Sequence, residues 1–309
     1  MLIGILFTGA LRTIVKTIKF MKQNLVLDDN YHIYACVQND TNKPNQYWSE
    51  FLHSTFGNNI KSIDWYNSNN SEKGEILKYV NISDNWKNYL KTSGSMVEHH
   101  QIQIAYKKLC YIEGTINIKY DYIVRYRTDT VFGKKIDFHW INWTRKEIDD
   151  RLDMIRCKLV DKSNENIIKH FMGTLLDDCI LDNDISLFQT NNDDDKYQDI
   201  INNLENYLKY GKYILTFRKN LLYIVKRNYF YLIPCIYNLY GTIRYKYNDD
   251  YWFNSEGQFQ GACYNCGLSL YNYDSKFDEM SLYAYDHSRY FDSDNNIINP
   301  NMIYCLVRN

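Results

Sequence analysis

Residues 119–132 read Lys-Tyr-Asp-Tyr-Ile-Val-Arg-Tyr-Arg-Thr-Asp-Thr-Val-Phe, and this stretch indicates how the chain folds. Tyr122 to Val124 form an apolar, β-favouring run, which predicts a buried strand. Arg125, Arg127 and Asp129 follow it directly. Charged side chains at the tip of a core strand cost free energy unless a partner or a ligand uses them.

Such a strand end is typical of a ligand site, because ligands of open α/β sheets bind beyond the carboxyl ends of the strands. An arginine there can bind a phosphate oxygen, and a carboxylate can hold a divalent cation. If the strand continued, Arg125, Arg127 and Asp129 would point to the same side. The stretch therefore predicts a diphosphate–metal site. The alternative is a network of salt bridges that caps the edge of the sheet.

A second segment suited to phosphate follows the first predicted strand, Leu2 to Phe7. It reads Thr8-Gly9-Ala10-Leu11-Arg12 and leads into a predicted helix. The glycine lets the backbone approach a ligand, the helix N-terminus offers free N–H groups, and Arg12 can reach a phosphate. Alternatively, Gly9 is a turn glycine and Arg12 a surface residue. Neither a dinucleotide-binding fingerprint nor a Walker loop is present.

Strand and helix patterns alternate over the first 130 residues or so. This alternation predicts an α/β fold with a mostly parallel sheet covered by helices on both faces. The later pattern is looser, and no linker divides the chain, so we expect one domain over residues 1–309. The predicted strands are Leu2–Phe7, Tyr31–Val37, a strand ending at Ile63 after a short helix from Phe51, and Asp121–Arg125; the predicted helices are Arg12–Gln23 and Ser95–Tyr111, with a capping box of Ser95 and Glu98.

Composition excludes several classes of protein. The 309-residue chain has a formal net charge of −1, so no overall field attracts nucleic acid. No apolar run approaches the ~20 residues of a membrane span, and we expect no transmembrane segment. Eight scattered cysteines do not resemble a disulfide framework, which predicts reduced thiols and a cytoplasmic protein. Cys263 and Cys266 lack the second ligand pair of a zinc site.

Three later residues are candidates for chemistry. Asp184 directly precedes a strand-like apolar run, and Glu256 precedes a predicted helix. Either carboxylate could accept a proton or bind an acceptor. His287 could bind a metal ion or a phosphate. Each also has a structural explanation: an acidic surface loop, a favourable helix-dipole contact and a structural histidine, respectively.

Several segments resemble the GT-A-type glycosyltransferases found in bacterial surface-polysaccharide clusters and large DNA viruses. The similar segments are Thr8–Thr13, Ser95–Gln103, Tyr120–Asp129, Asn183–Phe188 and Ser255–Phe259. The resemblance implies a Rossmann-type, mostly parallel sheet flanked by helices. It also implies a nucleotide-sugar-binding lobe over residues 1–135 and a less regular acceptor-side lobe over residues 136–309.

The same resemblance implies roles for single residues. Arg127-Thr128-Asp129 is similar to a variant of the family's Asp-x-Asp metal motif, in which Asp129 would hold Mn²⁺ or Mg²⁺. His287 is a second candidate for the metal. The nucleotide-sugar donor would be bound by the residues at the two strand ends: Thr8, Gly9, Arg12, Arg125 and Arg127.

The implied activity is metal-assisted transfer of a sugar from a nucleotide-diphosphate sugar to a hydroxyl group of a glycan or glycoprotein. Positive charge would neutralise the leaving diphosphate, and Asp184 or Glu256 would take the hydroxyl proton if the reaction inverts configuration. Two alternatives stay open. One is a sugar-phosphate nucleotidyltransferase, and the other is a non-catalytic carbohydrate- or protein-binding module of the same fold. The sequence predicts neither the donor sugar, the acceptor nor the oligomeric state.

Overall fold

The computed structural model describes the first half of the chain almost continuously and shorter parts of the second half. The described residues are 1–25, 30–67, 77–78, 84–92, 94–133, 135–136, 138, 146, 149, 153, 213–217, 222–235, 259, 269–272, 282–284, 292–294, 296 and 304–307. The predictions for Asp184, Glu256 and His287 lie outside these residues.

Strands and helices alternate through the first half, as the sequence predicts. The strands are β1 (Ile3–Ala10), β2 (Tyr31–Gln38), β3 (Ile60–Trp65), β4 (Tyr122–Arg127), β5 (Thr130–Phe132), β6 (Tyr213–Phe217), β7 (Leu222–Lys226), β8 (Ser269–Asn272), β9 (Leu282–Ala284) and β10 (Tyr304–Val307). The α-helices are α1 (Ile14–Asn24), α2 (Asn45–Phe56), α3 (Asp84–Thr92) and α4 (Gly94–Thr115). Short 3₁₀ segments cover Leu11–Thr13, Gly57–Asn59 and Arg227–Cys235.

The main sheet has seven strands in the order β3-β2-β1-β4-β7-β6-β8. Strand β1 pairs in parallel with both β2 and β4, and β2 pairs in parallel with β3. Strand β7 is antiparallel to both β4 and β6. The predicted α/β class with a mostly parallel sheet is therefore confirmed. Because β2 and β3 lie on one side of β1 and β4 on the other, the strand order reverses between β1 and β4.

Helices cover both faces of the sheet. In β1, Ile5 and Phe7 belong to the core on the side of α1 and α2, whereas Leu6 packs on the opposite side with Ile102 of α4. Burial on both faces explains why the parallel strands read as continuous apolar runs. No helix in the described ranges is both long and apolar enough to cross a membrane.

One local prediction is wrong. Helix α4 begins at Gly94, so Ser95 lies inside the helix and does not cap it. The Glu98 carboxylate of the expected capping box instead accepts a hydrogen bond from the buried Arg125. Strand β4 ends at Arg127, two residues after the predicted end, and Asp129 lies in the turn that follows it.

Candidate functional site

A cleft of about 220 Å³ opens where the carboxyl ends of β1, β2 and β4 meet. The parallel registers bring Ala10 beside Gln38 and Thr8 beside Arg127. The cleft therefore lies at the β1/β4 boundary, where the strand order reverses and open α/β sheets bind their ligands. This is the place that the sequence predicted from the two strand ends.

Helix α4 forms the second wall of the cleft. Its lining residues are Gly94, Val97, Glu98 and Gln101. Their spacing of three, four and seven positions places them on one face of the helix. Gly94, at the start of α4, is exposed and lies on the same face as Glu98.

Gly9 allows the end of β1 to approach the turn after β4. Its φ of 127° is a backbone conformation that side chains disfavour, and an added Cβ would lie 2.5 Å from Thr128 Oγ1. Thr128 Oγ1 donates a hydrogen bond to Ala10 O (2.6 Å), and Thr128 N donates to Thr8 O (3.0 Å). The lack of a side chain at Gly9 thus allows the end of β1 to lie close to Thr128, and this close approach determines the shape of the cleft.

Gly9→Ala is expected to destabilise the protein by about 1–3 kcal/mol, since the new methyl group adds a clash to an unfavourable φ. Gly57→Ala is the matched control, because Gly57 also has a positive φ (58°) but no atom lies within 4 Å of an added Cβ. Thermal unfolding of both variants measures the difference. Equal losses would mean that the approach to Thr128 contributes nothing.

Arg125 joins the sheet to helix α4 at the cleft. Its guanidinium is buried, and Nη2 donates a hydrogen bond to Glu98 Oε1 at 2.8 Å. Burial lowers the pKa of Arg125, while the negative charge of Glu98 acts in the opposite direction. An arginine side chain nevertheless keeps its charge in a protein. Arg125 lines the cleft, and its predicted role in binding phosphate stays a prediction.

Arg127 and Asp129 form a bidentate ion pair in the turn after β4. Arg127 Nε donates to Asp129 Oδ1 at 2.9 Å, and Nη2 donates to Oδ2 at 2.7 Å. Both side chains are mostly buried, with 19% and 11% of their surfaces exposed. Planar guanidinium and carboxylate groups match in this geometry, which is among the stronger protein hydrogen-bond arrangements.

This ion pair bears on the predicted metal site. Both oxygens of Asp129 accept hydrogen bonds from Arg127, so the counter-ion of this carboxylate in the structure is a guanidinium group rather than a metal ion. Within the described ranges, no group of three His, Cys, Asp or Glu side chains lies close enough to hold a metal ion. The role of Asp129 as a metal ligand therefore stays a prediction that requires Arg127 to move.

Arg12 stands at the mouth of the cleft. Its backbone N–H donates to Asp40 Oδ1 at 3.1 Å, and its Nη1 donates to Asp40 Oδ2 at 3.5 Å. About half of the Arg12 side chain is exposed, so a ligand could reach it from solvent. Thr8 is different: its side chain is buried below the lining residues Gly9 and Ala10, and its hydroxyl has no partner among the described residues.

Comparison with known proteins adds little. No protein-family model matches the chain, and no curated protein matches it. Among solved structures, the mannosyltransferase Ktr4p from S. cerevisiae in complex with GDP aligns at 12% identity and a TM-score of 0.32, covering 88% of this chain and 68% of Ktr4p. A second Ktr4p structure aligns at 12% identity and a TM-score of 0.30, covering 84% and 62%.

The structure brings together most of the predicted site. Gly9, Arg12, Arg125, Arg127 and Asp129 all line one cleft. Sequence reasoning missed three polar residues at the cleft: Asp40, Glu98 as the partner of Arg125, and Gln101. A usable signal existed for Asp40, which comes three residues after the end of the second predicted strand, and for Gln101, which is a polar residue between the apolar positions of α4.

Proposed function

We propose that the protein is a glycosyltransferase that moves a sugar from a nucleoside-diphosphate sugar to a hydroxyl group of a glycan or glycoprotein. The observation that carries the proposal is the convergence of Arg12, Arg125 and Arg127 on the cleft at the β1/β4 boundary. Arginine side chains bind phosphate oxygens through charge-assisted and often bidentate hydrogen bonds.

The charges of the cleft support binding of a diphosphate. Each arginine is held by a carboxylate, in the pairs Arg12–Asp40, Arg125–Glu98 and Arg127–Asp129. These carboxylates orient the guanidinium groups before a ligand arrives, which reduces the entropy lost on binding. A phosphate oxygen can then replace a carboxylate oxygen, because both accept bidentate hydrogen bonds from arginine. Arg12 and Arg127 are more exposed than Arg125 and would bind the diphosphate directly.

The chemistry follows from this arrangement. A nucleoside diphosphate leaves the sugar carbon as an anion, and Arg12 and Arg127 would bind its oxygens as the negative charge develops. A divalent cation, where bound, would neutralise the same charge. Asp184 and Glu256 remain the proposed acceptors of the hydroxyl proton, with His287 proposed as a metal ligand. We also propose a cytoplasmic location and the division into lobes 1–135 and 136–309.

Calorimetry with UDP and GDP, with and without Mn²⁺, tests the proposal. Arg127→Gln is expected to weaken diphosphate binding by about 10-fold or more, since a charge-assisted hydrogen bond is lost. Arg227→Gln is the matched control, because Arg227 also forms a bidentate pair, with Glu113, but does not line the cleft. Absence of diphosphate binding by the unchanged protein, with or without metal, would remove the proposal.

One observation favours the non-catalytic alternative. Arg127 engages both oxygens of Asp129, so the carboxylate of the Arg127-Thr128-Asp129 motif is paired with a guanidinium group. Hydrolysis of a panel of nucleotide sugars, with and without manganese, distinguishes the candidates. A glycosyltransferase would release nucleoside diphosphate from its donor. A binding module would release nothing, and a nucleotidyltransferase would act on nucleoside triphosphates.

A further inference from the structure

Gln101 is a buried polar side chain without a hydrogen-bond partner among the described residues. It lies in α4, only 3% of its surface is exposed, and it lines the cleft. A carboxamide can make up to about four hydrogen bonds, two as donor and two as acceptor. The Gln101 carboxamide is not among the fully buried, unpartnered polar groups of the described residues, so its polar atoms are accessible from the cleft, where a ligand can bond them.

Gln101 lies deeper in the cleft than the phosphate-suited groups. Helix α4 connects β3 to β4, which run parallel within the sheet, so the helix runs back from the carboxyl ends of the strands. At 1.5 Å per residue, Gln101 is about 10 Å from Gly94 at the mouth. The Arg125–Glu98 pair lies between them. A ligand with its anionic part at the mouth would reach Gln101 with a neutral part.

Gln103, two residues further along α4, is a buried glutamine whose carboxamide is hydrogen-bonded within the protein. Gln103 is also buried, with 6% of its surface exposed. Its Nε2 donates to Pro234 O at 3.2 Å, and its Oε1 accepts from Lys107 Nζ at 3.5 Å. Gln103 does not line the cleft. Gln103 therefore bonds within the protein, whereas the Gln101 carboxamide lines the cleft and has no hydrogen-bond partner in the described part of the chain.

We propose that Gln101 is a ligand-binding residue that recognises the neutral part of the nucleotide sugar. Its carboxamide would bond a group that presents a hydrogen-bond donor and acceptor side by side. Two parts of the donor substrate have this chemistry, the edge of the nucleobase and the hydroxyl groups of the sugar. This proposal rests on the proposed function, because it assumes that the diphosphate occupies the mouth of the cleft.

The test is calorimetry on Gln101→Leu with three probes: inorganic pyrophosphate, UDP and GDP, and the corresponding nucleotide sugars. Leucine is similar in size and in helix propensity. Pyrophosphate affinity should stay within about two-fold of the unchanged protein. If Gln101 bonds the base, the affinities for diphosphate and nucleotide sugar should fall equally, by about 10-fold. If it bonds the sugar, only the affinity for the nucleotide sugar should fall.

Thermal unfolding supplies a second readout that does not depend on a ligand. Gln101→Leu should unfold at about the same temperature, because the Gln101 carboxamide makes no hydrogen bond to the described residues that the change could remove. The control Gln103→Leu should unfold at a lower temperature and bind every probe normally, because it removes satisfied hydrogen bonds of a residue that does not line the cleft.

Two results would overturn the inference about Gln101 without contradicting the proposed function. One is equal binding of all probes by Gln101→Leu and the unchanged protein, and the other is a loss of stability in Gln101→Leu as large as in Gln103→Leu. Failure of the proposed function has a different signature, since the unchanged protein would then bind no nucleoside diphosphate. In that case the inference falls with it.

Discussion

Asp129→Asn is expected to lower the rate of sugar transfer by ~10²–10³, the loss typical of removing one strong electrostatic contact to a transition state. Asparagine keeps the size of the side chain and one oxygen acceptor but loses the charge. It can neither hold a cation tightly nor orient Arg127 through a bidentate ion pair. The protein should stay folded at a lower melting temperature, since the change removes one charge of a mostly buried ion pair but keeps an oxygen acceptor for Arg127.

Initial rates with the preferred nucleotide sugar, measured with and without added manganese, test this expectation. Manganese should rescue the variant poorly, because the carboxylate rather than the ion is missing. Asp40→Asn is the matched control, because Asp40 holds the more exposed Arg12 at the mouth through longer contacts. Its rate should change far less. Near-normal turnover by Asp129→Asn would mean that Asp129 has only a structural role.

Arg125→Leu is expected to lower the free energy of unfolding by about 3–5 kcal/mol. The substitution removes a buried guanidinium and leaves the carboxylate of Glu98, itself mostly buried, without its bonded positive charge. Breaking one side of a buried ion pair typically costs this much, because desolvation of the remaining charge is no longer offset. The loss should appear in denaturant unfolding as a lower midpoint with an unchanged slope.

The double variant Arg125→Leu with Glu98→Leu distinguishes the cost of leaving one charge unpaired from the cost of changing the packing. Replacing both members of a buried pair by apolar side chains is often close to neutral for stability. We therefore expect the double variant to recover most of the lost stability but not the diphosphate affinity. If the double variant is as unstable as Arg125→Leu, Glu98 is not the reason for the instability.

The sequence predicted the central part of the fold because parallel strands buried on both faces leave an uninterrupted apolar run. Strands β1, β2 and β4 lie where these runs predicted them. The apolar runs end before the strands do, since strand pairing continues through residues that are not apolar, such as Thr8, Gly9 and Arg127. The start of α2 was also placed late, at Phe51 instead of Asn45. Its first turns carry mostly polar and exposed side chains, which give little periodic signal.

The site could be predicted only in part, for a different physical reason. A charged residue after an apolar strand stands out in the local sequence, and this identified Arg125, Arg127 and Asp129. Their partners depend on which helix face meets which strand, and local patterns do not contain that information. Glu98 and Arg125 are 27 positions apart. The hydrogen bond of the Gln103 side chain likewise depends on a distant residue, because its acceptor Pro234 is 131 positions away. Local sequence therefore does not distinguish Gln103 from Gln101, which lines the cleft.

The parallel pairing of β1 with β4 also affects how the protein is made. Of the two strands that pair with β1, β2 starts at Tyr31 but β4 starts only at Tyr122. At a ribosomal rate of roughly 5–20 residues per second, the intervening chain takes on the order of ten seconds to synthesise. During that time one edge of β1 exposes its N–H and C=O groups, which other nascent chains can pair with. The step that closes this edge also completes the arginine-lined cleft, so protection from aggregation and the ability to bind a ligand arise together.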